Sequence, residues 1–453
     1  MNLLLTGATV VRALDPPVVE RADLHVRDGR IAAVGPALAV DAPTLDCGGC
    51  LVIPGNVNAH AHAYSALARG MPYHLAPPTT FLEILQRVWW RLDRALDGPM
   101  IRASALVAGR EALLAGTTTL IDHHASPNAI DGSLHVIAEA FGELGLRSVL
   151  AYEVTDRDGP ERSAAGIEEN ARFLRRSAEH WYPLARGMVG AHASFTLGDE
   201  TLATCAALAG RTGSGMHIHV AEDAVDEADA VARTGSRVVQ RLAAAGVLDE
   251  SALLAHAVHL DPAEAEMLRS TKVAVAHNPR SNMNNGVGRT PLGWLGDRVA
   301  LGTDGIGGDL FEESRTAYLR RREEELETGP AWALGRLAVG SGLAGRAFAE
   351  PRLGLLEPGA PADLAVLDYA APTPLDAATL AGHWIFGLSA STVRDVVVGG
   401  ELVVRDRRLT RVDDAELVAG ANEQTARLWA RLEEIGTHPF SPSRLLATPI
   451  GAG

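Results

Sequence analysis

Eight apolar segments, spaced regularly through the middle of the chain, constrain its fold more than any other feature. Most of them are separated by helical patterns such as FLEILQRVWWRLDRAL and SLHVIAEAFGELG. Eight strands that alternate with helices predict a parallel (β/α)8 barrel of the TIM type. The segments are 51–59, 117–122, 147–154, 187–193, 215–221, 252–258, 272–277 and 299–303.

Both ends of the chain differ from this middle part, because they consist of short strand-like runs joined by glycine-containing turns. Residues 1–53 plus 356–412 are therefore predicted to form one small discontinuous β-sandwich domain, and residues 54–355 the barrel. Leu, Trp and Ile recur at helical spacing after residue 413, so residues 413–453 are predicted to form a C-terminal amphipathic helix and a loose tail.

Charge and composition narrow the range of partners. The net charge is −15 and no basic tract occurs, which argues against nucleic acid and anionic membrane surfaces. The sequence contains no run of 18 apolar residues, so no transmembrane helix is predicted. The N-terminus has the pattern of a strand, and we therefore expect a cytoplasmic protein. Cys47 and Cys50 have zinc-ribbon spacing but no second pair, which favours a simple turn.

Polar side chains stand where the predicted strands end. In a (β/α)8 barrel these ends form the active-site face, so histidines from successive strands converge there. A single buried histidine usually satisfies one hydrogen bond, but core packing explains a series of them poorly. The residues are His60, His62, His123, His124, His192, His219, His256, His277 and Asp304.

A metal site is the chemistry that these residues favour. His60 and His62 are two positions apart, so on a strand both rings face the same side. HIHVAED offers His217 and His219, which also share a face; spacing does not choose between them, but a ligand at the mouth favours His219. With Asp304 from LGTDG, three imidazoles and one carboxylate leave room for water, as in catalytic Zn²⁺ or Fe²⁺ sites.

Hydrolysis at such a metal needs a proton shuttle and a group that polarises the substrate. Glu222, three residues past His219, is placed for the shuttle, although a solvated surface acid beside Asp223 is an equally good local interpretation. His256, which ends the sixth strand, is placed to polarise the substrate or orient the nucleophile. Asp304 is predicted to belong to the catalytic set as well as to the ligands.

The motifs PGNVNAHAH, HVAED, AHAVH and GTDG, in this order, resemble the amidohydrolase superfamily in its cytosine-deaminase and chlorohydrolase (ATZ/TRZ-like) branch. The resemblance covers nearly the whole chain and includes LEPGAPADLAVLD; IDHHASPNAIDGSL and HNPRSNMNNGVG are most similar to the SsnA group of aminohydrolases. It implies a small-molecule substrate and allows a homodimer. It also implies metal ligation by His60, His62, His219 and Asp304, proton transfer by Glu222 and electrostatic assistance by His256.

The position of lysine in the sequence bears on the number of metal ions per chain. Binuclear members of the superfamily bridge two ions with a carboxylated lysine from the fourth strand. Here that strand, GMVGAHASF, has His192 and no lysine, and Lys272, the single lysine of the chain, begins the seventh strand at the wrong end. We therefore predict one divalent ion per chain, Zn²⁺ or Fe²⁺.

Two histidines are predicted to contact the substrate. The resemblance implies this role for His192, with a hydrogen bond to Ser194 as the alternative. His123 and His124 are adjacent and so face opposite sides of a strand; one of them lines the pocket, and His124 is favoured.

The leading hypothesis is a metal-dependent aminohydrolase that deaminates a heterocyclic or amidine-like substrate. Cyclic-amide hydrolysis or hydrolytic dechlorination could use the same site, and a non-catalytic barrel scaffold is the alternative from another class. No residue indicates the natural substrate or a role in selenium metabolism, and the ligand set accepts zinc or iron.

Overall fold

The computed structural model describes residues 2–442, and the elements named here are those within that range. The strands are β1 (Asn2–Leu14), β2 (Pro17–Arg27), β3 (Arg30–Gly35), β4 (Thr44–Asp46), β5 (Leu51–Pro54), β6 (Asn56–Ala61), β7 (Thr117–His124), β8 (Arg147–Tyr152), β9 (Ala185–Gly187), β10 (Val189–Ala193), β11 (Met216–Val220), β12 (Leu253–His256), β13 (Ala274–His277), β14 (Val299–Leu301), β15 (Leu364–Leu367), β16 (Val393–Val398), β17 (Glu401–Arg405) and β18 (Arg408–Leu409).

From β6 to β14, helices separate successive strands except between β9 and β10. The helices are α1 (Phe81–Ile84), α2 (Trp90–Ala95), α3 (Gly98–Leu114), α4 (Ser133–Leu144), α5 (Pro160–Ala178), α6 (Asp199–Thr212), α7 (Ala224–Thr234), α8 (Val238–Ala244), α9 (Pro262–Thr271), α10 (Pro279–Asn285), α11 (Leu292–Leu295), α12 (Leu310–Arg322), α13 (Ala331–Phe348), α14 (Leu380–Phe386) and α15 (Asp414–Glu434).

The parallel strands β6 to β14 form the barrel. They are hydrogen-bonded in two runs, β6 to β9 and β10 to β14. Parallel bridges between Val154 and Ala191 and between Ala61 and Asp304 join the two runs at both seams. The predicted fold class, a (β/α)8 barrel with a small β-domain, is confirmed, and the strand ends that carry the polar residues lie on one face.

The first predicted barrel strand, 51–59, is divided in the structure. Leu51–Pro54 is β5 and pairs with β1 and β15, whereas Asn56–Ala61 is β6 and pairs with β7. A Cβ on Gly55 would lie 2.2 Å from Thr118 Oγ1, so only glycine lets the chain pass between the two sheets here. The continuous apolar run hides this change because both pieces are buried.

The strands from the two chain ends share one sheet. Its order is β18-β17-β16-β15-β5-β1-β2-β3, with β4 beside β1. Leu5, Leu24, Val52 and Leu364 are fully buried in its core. A buried ion pair, Arg147 Nε to Asp363 Oδ2 at 2.7 Å, ties the start of β8 to this sheet.

The amphipathic helix predicted near the C-terminus is α15. Asp413 caps it by accepting the backbone N–H groups of Ala415 and Glu416, and it packs against α3. The chain then runs to Phe440, which lies beside Trp90. The rest of the predicted tail, 443–453, lies outside the described residues. Among residues 2–442, no helix combines the length and apolarity needed to cross a membrane.

Candidate metal centre and active site

The four predicted metal ligands meet at the face of the barrel where the strands end. His62 Nε2 lies 2.9 Å from Asp304 Oδ1 and 3.1 Å from His219 Nε2. His60 Nε2 lies 3.4 Å from the same oxygen of Asp304. Ligand atoms at bonds of about 2.0 to 2.1 Å around a tetrahedral ion are separated by about 3.4 Å, so these contacts have the spacing of a coordination shell.

Hydrogen bonds to the outer nitrogens turn each imidazole toward the same point. His62 Nδ1 lies 2.6 Å from the His123 carbonyl oxygen, and His219 Nδ1 lies 2.8 Å from that of His192. A ring that donates through Nδ1 presents the lone pair of Nε2, the form in which imidazole binds metals. His60 Nδ1 contacts His217 Nε2 at 2.8 Å, and its own Nε2 is buried without a hydrogen bond within residues 2–442. This donor set fits a divalent cation.

Two residues of the centre have left-handed backbone conformations that are unusual for residues other than glycine. His256 has φ +74° and Asp304 has φ +53°. Neighbouring contacts hold both: His256 Nδ1 lies 2.8 Å from Asn282 Oδ1, and Ser281 Oγ donates to Asp304 Oδ2. Strained backbone that its surroundings enforce is characteristic of functional sites.

Glu222 lies beside the predicted ligands rather than on the surface. Its Oε2 is 3.5 Å from His256 Nε2, and its Oε1 is 3.5 Å from Asn285 Nδ2. Burial raises the pKa of Glu222 well above its ordinary value, and the negative charge of Asp304 adds to the effect. A carboxyl group with a raised pKa can both take up and release a proton near neutral pH.

A cavity of about 270 Å³ opens above this cluster. Its polar wall includes His62, His192, His219, Glu222 and Asp304. Its apolar wall is mainly aromatic and includes Tyr64, Phe81, Trp89, Trp90 and Phe195, together with Leu85. A slot with flat apolar walls and a few convergent polar groups suits a planar small molecule.

The helical pattern around Trp89 and Trp90 has a role that the sequence did not indicate. Helical spacing alone indicates a packed amphipathic helix, whereas both rings line the cavity. Leu85–Trp89 forms a π-helical turn between α1 and α2. Such turns are frequent at functional sites because they shift the side chains that follow.

The two predicted substrate contacts have different outcomes. His192 lines the cavity, and its Nδ1 bonds to Thr196 Oγ1 at 2.8 Å, not to Ser194. Burial lowers the pKa of His192 well below its usual value, and the positive charge of Arg157 acts in the same direction. The ring is therefore neutral.

His124 does not reach the cavity. It is fully buried and its Nε2 lies 2.9 Å from Ser126 Oγ, behind Tyr64. The register of β7 turns His123 inward instead, where its ring lies 5.7 Å from that of His62. Neither ring is among the residues that line the cavity, so a substrate contact by His124 or His123 stays a prediction.

Sequence reasoning missed Glu153, which follows β8 and lines the cavity. Its Oε1 lies 3.2 Å from His62 Nδ1 and 3.5 Å from His123 Nδ1. A signal was present, because Glu153 is an acid at the end of the apolar run RSVLAY. His217, the alternative to His219 in HIHVAED, stacks on His123 at 4.3 Å between centroids.

Lys272 lies at the opposite end of the barrel from the metal centre. It caps the end of α9, just before β13 begins at Ala274, while the cluster lies at the opposite ends of the strands. Its position agrees with the sequence-based argument against a bridging lysine.

Comparison with known proteins gives the family. The profile of the amidohydrolase family matches residues 51–403. The chain belongs to the amidohydrolase family. The family predicted from the motifs is thus confirmed, and this amidohydrolase is a hydrolase for carbon–nitrogen bonds other than peptide bonds that uses a divalent metal.

Its relatives include deaminases. It is 30% identical to a 5'-deoxyadenosine deaminase of Methanopyrus kandleri over 83% of this chain and 86% of the relative. It is 33% identical to a 5-methylthioadenosine/S-adenosylhomocysteine deaminase of Syntrophobacter fumaroxidans over 92% of this chain and 96% of the relative. The crystal structure of an adenosine deaminase from Xanthomonas campestris with bound zinc superimposes with a TM-score of 0.82 at 26% identity, over 95% of this chain and 99% of that one.

Proposed function

We propose that this amidohydrolase deaminates an amino-substituted nitrogen heterocycle at a single divalent metal ion. The observation that carries the proposal is the cluster at the barrel mouth. In it, the donor atoms of His60, His219, His256 and Asp304 lie within 4.8 Å of one another, and His62 contacts two of them. Relatives named as deaminases of adenosine-like compounds favour loss of ammonia over the other carbon–nitrogen hydrolyses.

His60, His62, His219 and Asp304 would hold the ion. A bound divalent metal lowers the pKa of water and supplies a nucleophile at neutral pH. Zinc is favoured over iron by the zinc-bound adenosine deaminase, while the ligand set accepts both. One ion is proposed because β10 carries His192 where a bridging lysine would be needed.

Glu222 and His256 would act on the substrate. Glu222 would take a proton from the attacking water and pass it to the ring nitrogen. It would then take the proton of the new hydroxyl group and pass it to the amine, which leaves as ammonia while the carbonyl forms. His256, whose Nδ1 is held by Asn282, directs Nε2 toward Glu222 and the cluster, where it stabilises charge as the tetrahedral carbon forms.

Ammonia release by metal-verified protein, across amino purines, pterins, pyrimidines and guanidino compounds, tests the proposal. In Glu222→Gln we expect kcat to fall about 10²- to 10⁴-fold, because the proton shuttle is removed while the predicted ligands remain. Metal content should stay at one ion per chain by elemental analysis. Glu312→Gln, an exposed acid paired with Arg280, is the matched control.

Three results would contradict the proposal. Two tightly held ions per chain would contradict the single centre. Hydrolysis of ring amides or chlorinated rings with no release of ammonia would contradict deamination. Unchanged turnover of an identified substrate by Glu222→Gln would contradict the assigned shuttle and revive the scaffold alternative. A homodimer, which the resemblance allows, is tested separately by light scattering.

A further inference from the structure

Glu153 is a buried carboxylate at the cavity that the proposed reaction does not use. Its side chain is 2% exposed. Oε1 is enclosed beside Nδ1 of His62 at 3.2 Å and Nδ1 of His123 at 3.5 Å, whereas no residue among 2–442 donates a hydrogen bond to Oε2. Oε2 lies 4.0 Å from His192 Nε2, with both groups on the cavity wall. Oε2 is therefore a carboxylate oxygen at the cavity wall that no group of the chain satisfies, and it is placed to accept a hydrogen bond from a ligand.

His192 presents a second acceptor to the same space. Thr196 Oγ1 donates its only hydrogen to the Ala193 carbonyl at 3.0 Å, so it must accept from His192 Nδ1 at 2.8 Å. The hydrogen of the neutral ring is therefore on Nδ1. Nε2 faces the cavity as a lone pair beside Glu153.

A third acceptor stands in the aromatic part of the wall. Asp93 lines the cavity and pairs with Arg157 through Oδ2, while its Oδ1 is buried without a hydrogen bond among the described residues. In the same part of the wall, Trp90 Nε1 is a buried donor without a hydrogen bond among the described residues. No Lys or Arg side chain lines the cavity among residues 2–442.

The depth of Glu153 decides which part of a substrate it meets. Oε1 lies 3.2 Å from Nδ1 of the predicted ligand His62, so the carboxylate is within about one ring width of the metal centre. A heterocycle whose amino-bearing carbon lies over that centre places its own ring edge, not a distant substituent, against Glu153.

We propose that Glu153, together with His192, selects rings that carry N–H donors next to the amino-bearing carbon. The substrate class is then an oxo-amino heterocycle with a protonated ring nitrogen, such as a ring of the 2-amino-4-oxopyrimidine type. This inference rests on the proposed deamination and narrows its substrate.

Adenine-type rings lack such a donor. Apart from the departing amine, the ring of an adenine nucleoside presents only nitrogen lone pairs, which would face the acceptors Glu153 and His192. Sites built to bind a donor reject analogues that lack it, because the buried acceptor is left unpaired. The pocket is therefore expected to differ in specificity from those of the relatives named for adenosine-like substrates.

Guanine and 2-aminopurine form the test pair. N1, one of the two ring nitrogens next to the amino-bearing carbon, carries hydrogen in guanine and a lone pair in 2-aminopurine. We expect the metal-loaded protein to favour guanine in kcat/KM by at least about 100-fold. In Glu153→Gln, whose amide can donate to a lone pair, this ratio should fall at least about tenfold. Glu153→Asp keeps the charge and should retain the preference. Glu168→Gln, an exposed acid paired with Arg175, is the matched control.

The metal content of Glu153→Gln distinguishes two roles of Glu153, recognition of the substrate ring and positioning of His62. One ion per chain in Glu153→Gln, with a changed ratio, supports the proposal. Metal loss, with both compounds affected equally, would assign Glu153 to holding His62 and overturn it. A loss of kcat/KM in Glu153→Gln that is confined to ribosides such as adenosine would assign the carboxylate to sugar hydroxyls. This result would also overturn the proposal.

Failure of the proposed function has a different signature. If no compound releases ammonia, deamination fails, and the selectivity is then read from calorimetric binding of the same pair. A guanine preference in binding that Glu153→Gln removes would support the recognition role. Equal binding of both rings by the wild type would refute it.

Discussion

Asp122 is a buried carboxylate whose ionisation should limit stability. Its Oδ1 accepts the Ala63 N–H at 2.6 Å, but its Oδ2 has no hydrogen bond within residues 2–442. Burial raises the pKa of Asp122 to about 7. The folded state therefore binds this proton more tightly than the unfolded state. The contribution of protonated Asp122 to the free energy of unfolding is complete below about pH 4 and is lost as pH rises to about 7.

Asp122→Asn removes the titration while keeping the shape. The difference in Tm between the variant and the wild type should grow in favour of the variant from about pH 5 to pH 8. The change is equivalent to about 2 to 4 kcal/mol in the free energy of unfolding. Thermal unfolding of metal-loaded protein at several pH values measures the difference. Asp131→Asn, which loses the same charge from an exposed side chain, is the control. A Tm difference that does not vary with pH would contradict the prediction.

Individual residues were predictable from sequence to the extent that position along a strand determines their place. His60 and His62 share a face because they are two apart, and Asp304 follows a strand, so all three reach the mouth. The choice between His123 and His124 depended on which face of β7 is inward, and both are fully buried. The alternation of polar and apolar residues along β7 therefore could not show which of the two side chains faces inward.

The π-helical turn Leu85–Trp89 is an element that residue patterns did not predict. Its sequence has the spacing of an ordinary amphipathic helix, and the extra residue per turn appears only in the hydrogen bonding. Distant contacts support it: Gln86 Nε2 donates to the Phe440 carbonyl at 2.7 Å, and the His438 N–H donates to the Gln86 carbonyl at 2.9 Å.

Phe440 should control the shape of the aromatic wall. Its ring lies 5.7 Å from that of Trp90 and 6.4 Å from that of Phe195. In Phe440→Ala the loss of these contacts loosens the slot, so KM should rise about 3- to 10-fold, the effect of about 1 kcal/mol of lost packing. The metal cluster is untouched, so kcat and metal content should change little.

Steady-state kinetics with elemental analysis check this expectation. Phe386→Ala, which truncates an exposed phenylalanine that does not line the cavity, is the matched control. A fall in kcat accompanied by metal loss, with KM unchanged, would show that the C-terminal segment supports the metal centre instead of the wall.

At the scale of the whole molecule, sequence periodicity predicted the number and order of the barrel strands. It could not show how the barrel closes, because the seam joins residues far apart in the chain. Asn58 Nδ2 donates to Thr303 Oγ1 at 2.7 Å, and the Thr303 N–H donates to Asn58 Oδ1 at 3.1 Å. This reciprocal pair fixes β14 against β6, and with it the distance from Asp304 to the two histidines of the first strand.

Gly302 makes that seam possible. A Cβ there would lie 2.4 Å from Asn278 Oδ1 and 2.7 Å from the Cβ of His60, so any side chain must push β14 away from β6. In Gly302→Ala, Asp304 should shift away from His60 and His62. We expect metal occupancy below about half and a parallel loss of kcat, together with a lower Tm from the overpacked core, about 1 to 3 kcal/mol.

Added zinc distinguishes a displaced ligand from a misfolded chain. If the variant is folded but binds metal weakly, excess zinc should restore part of the activity, because binding stabilises the closed seam by mass action. Gly342→Ala is the matched control, because it makes the same change on α13 where a Cβ meets nothing within 4 Å. Full occupancy and wild-type kcat in Gly302→Ala would mean that Asp304 keeps its place without a tight seam. The fit of the first and last strands would then not determine the metal site.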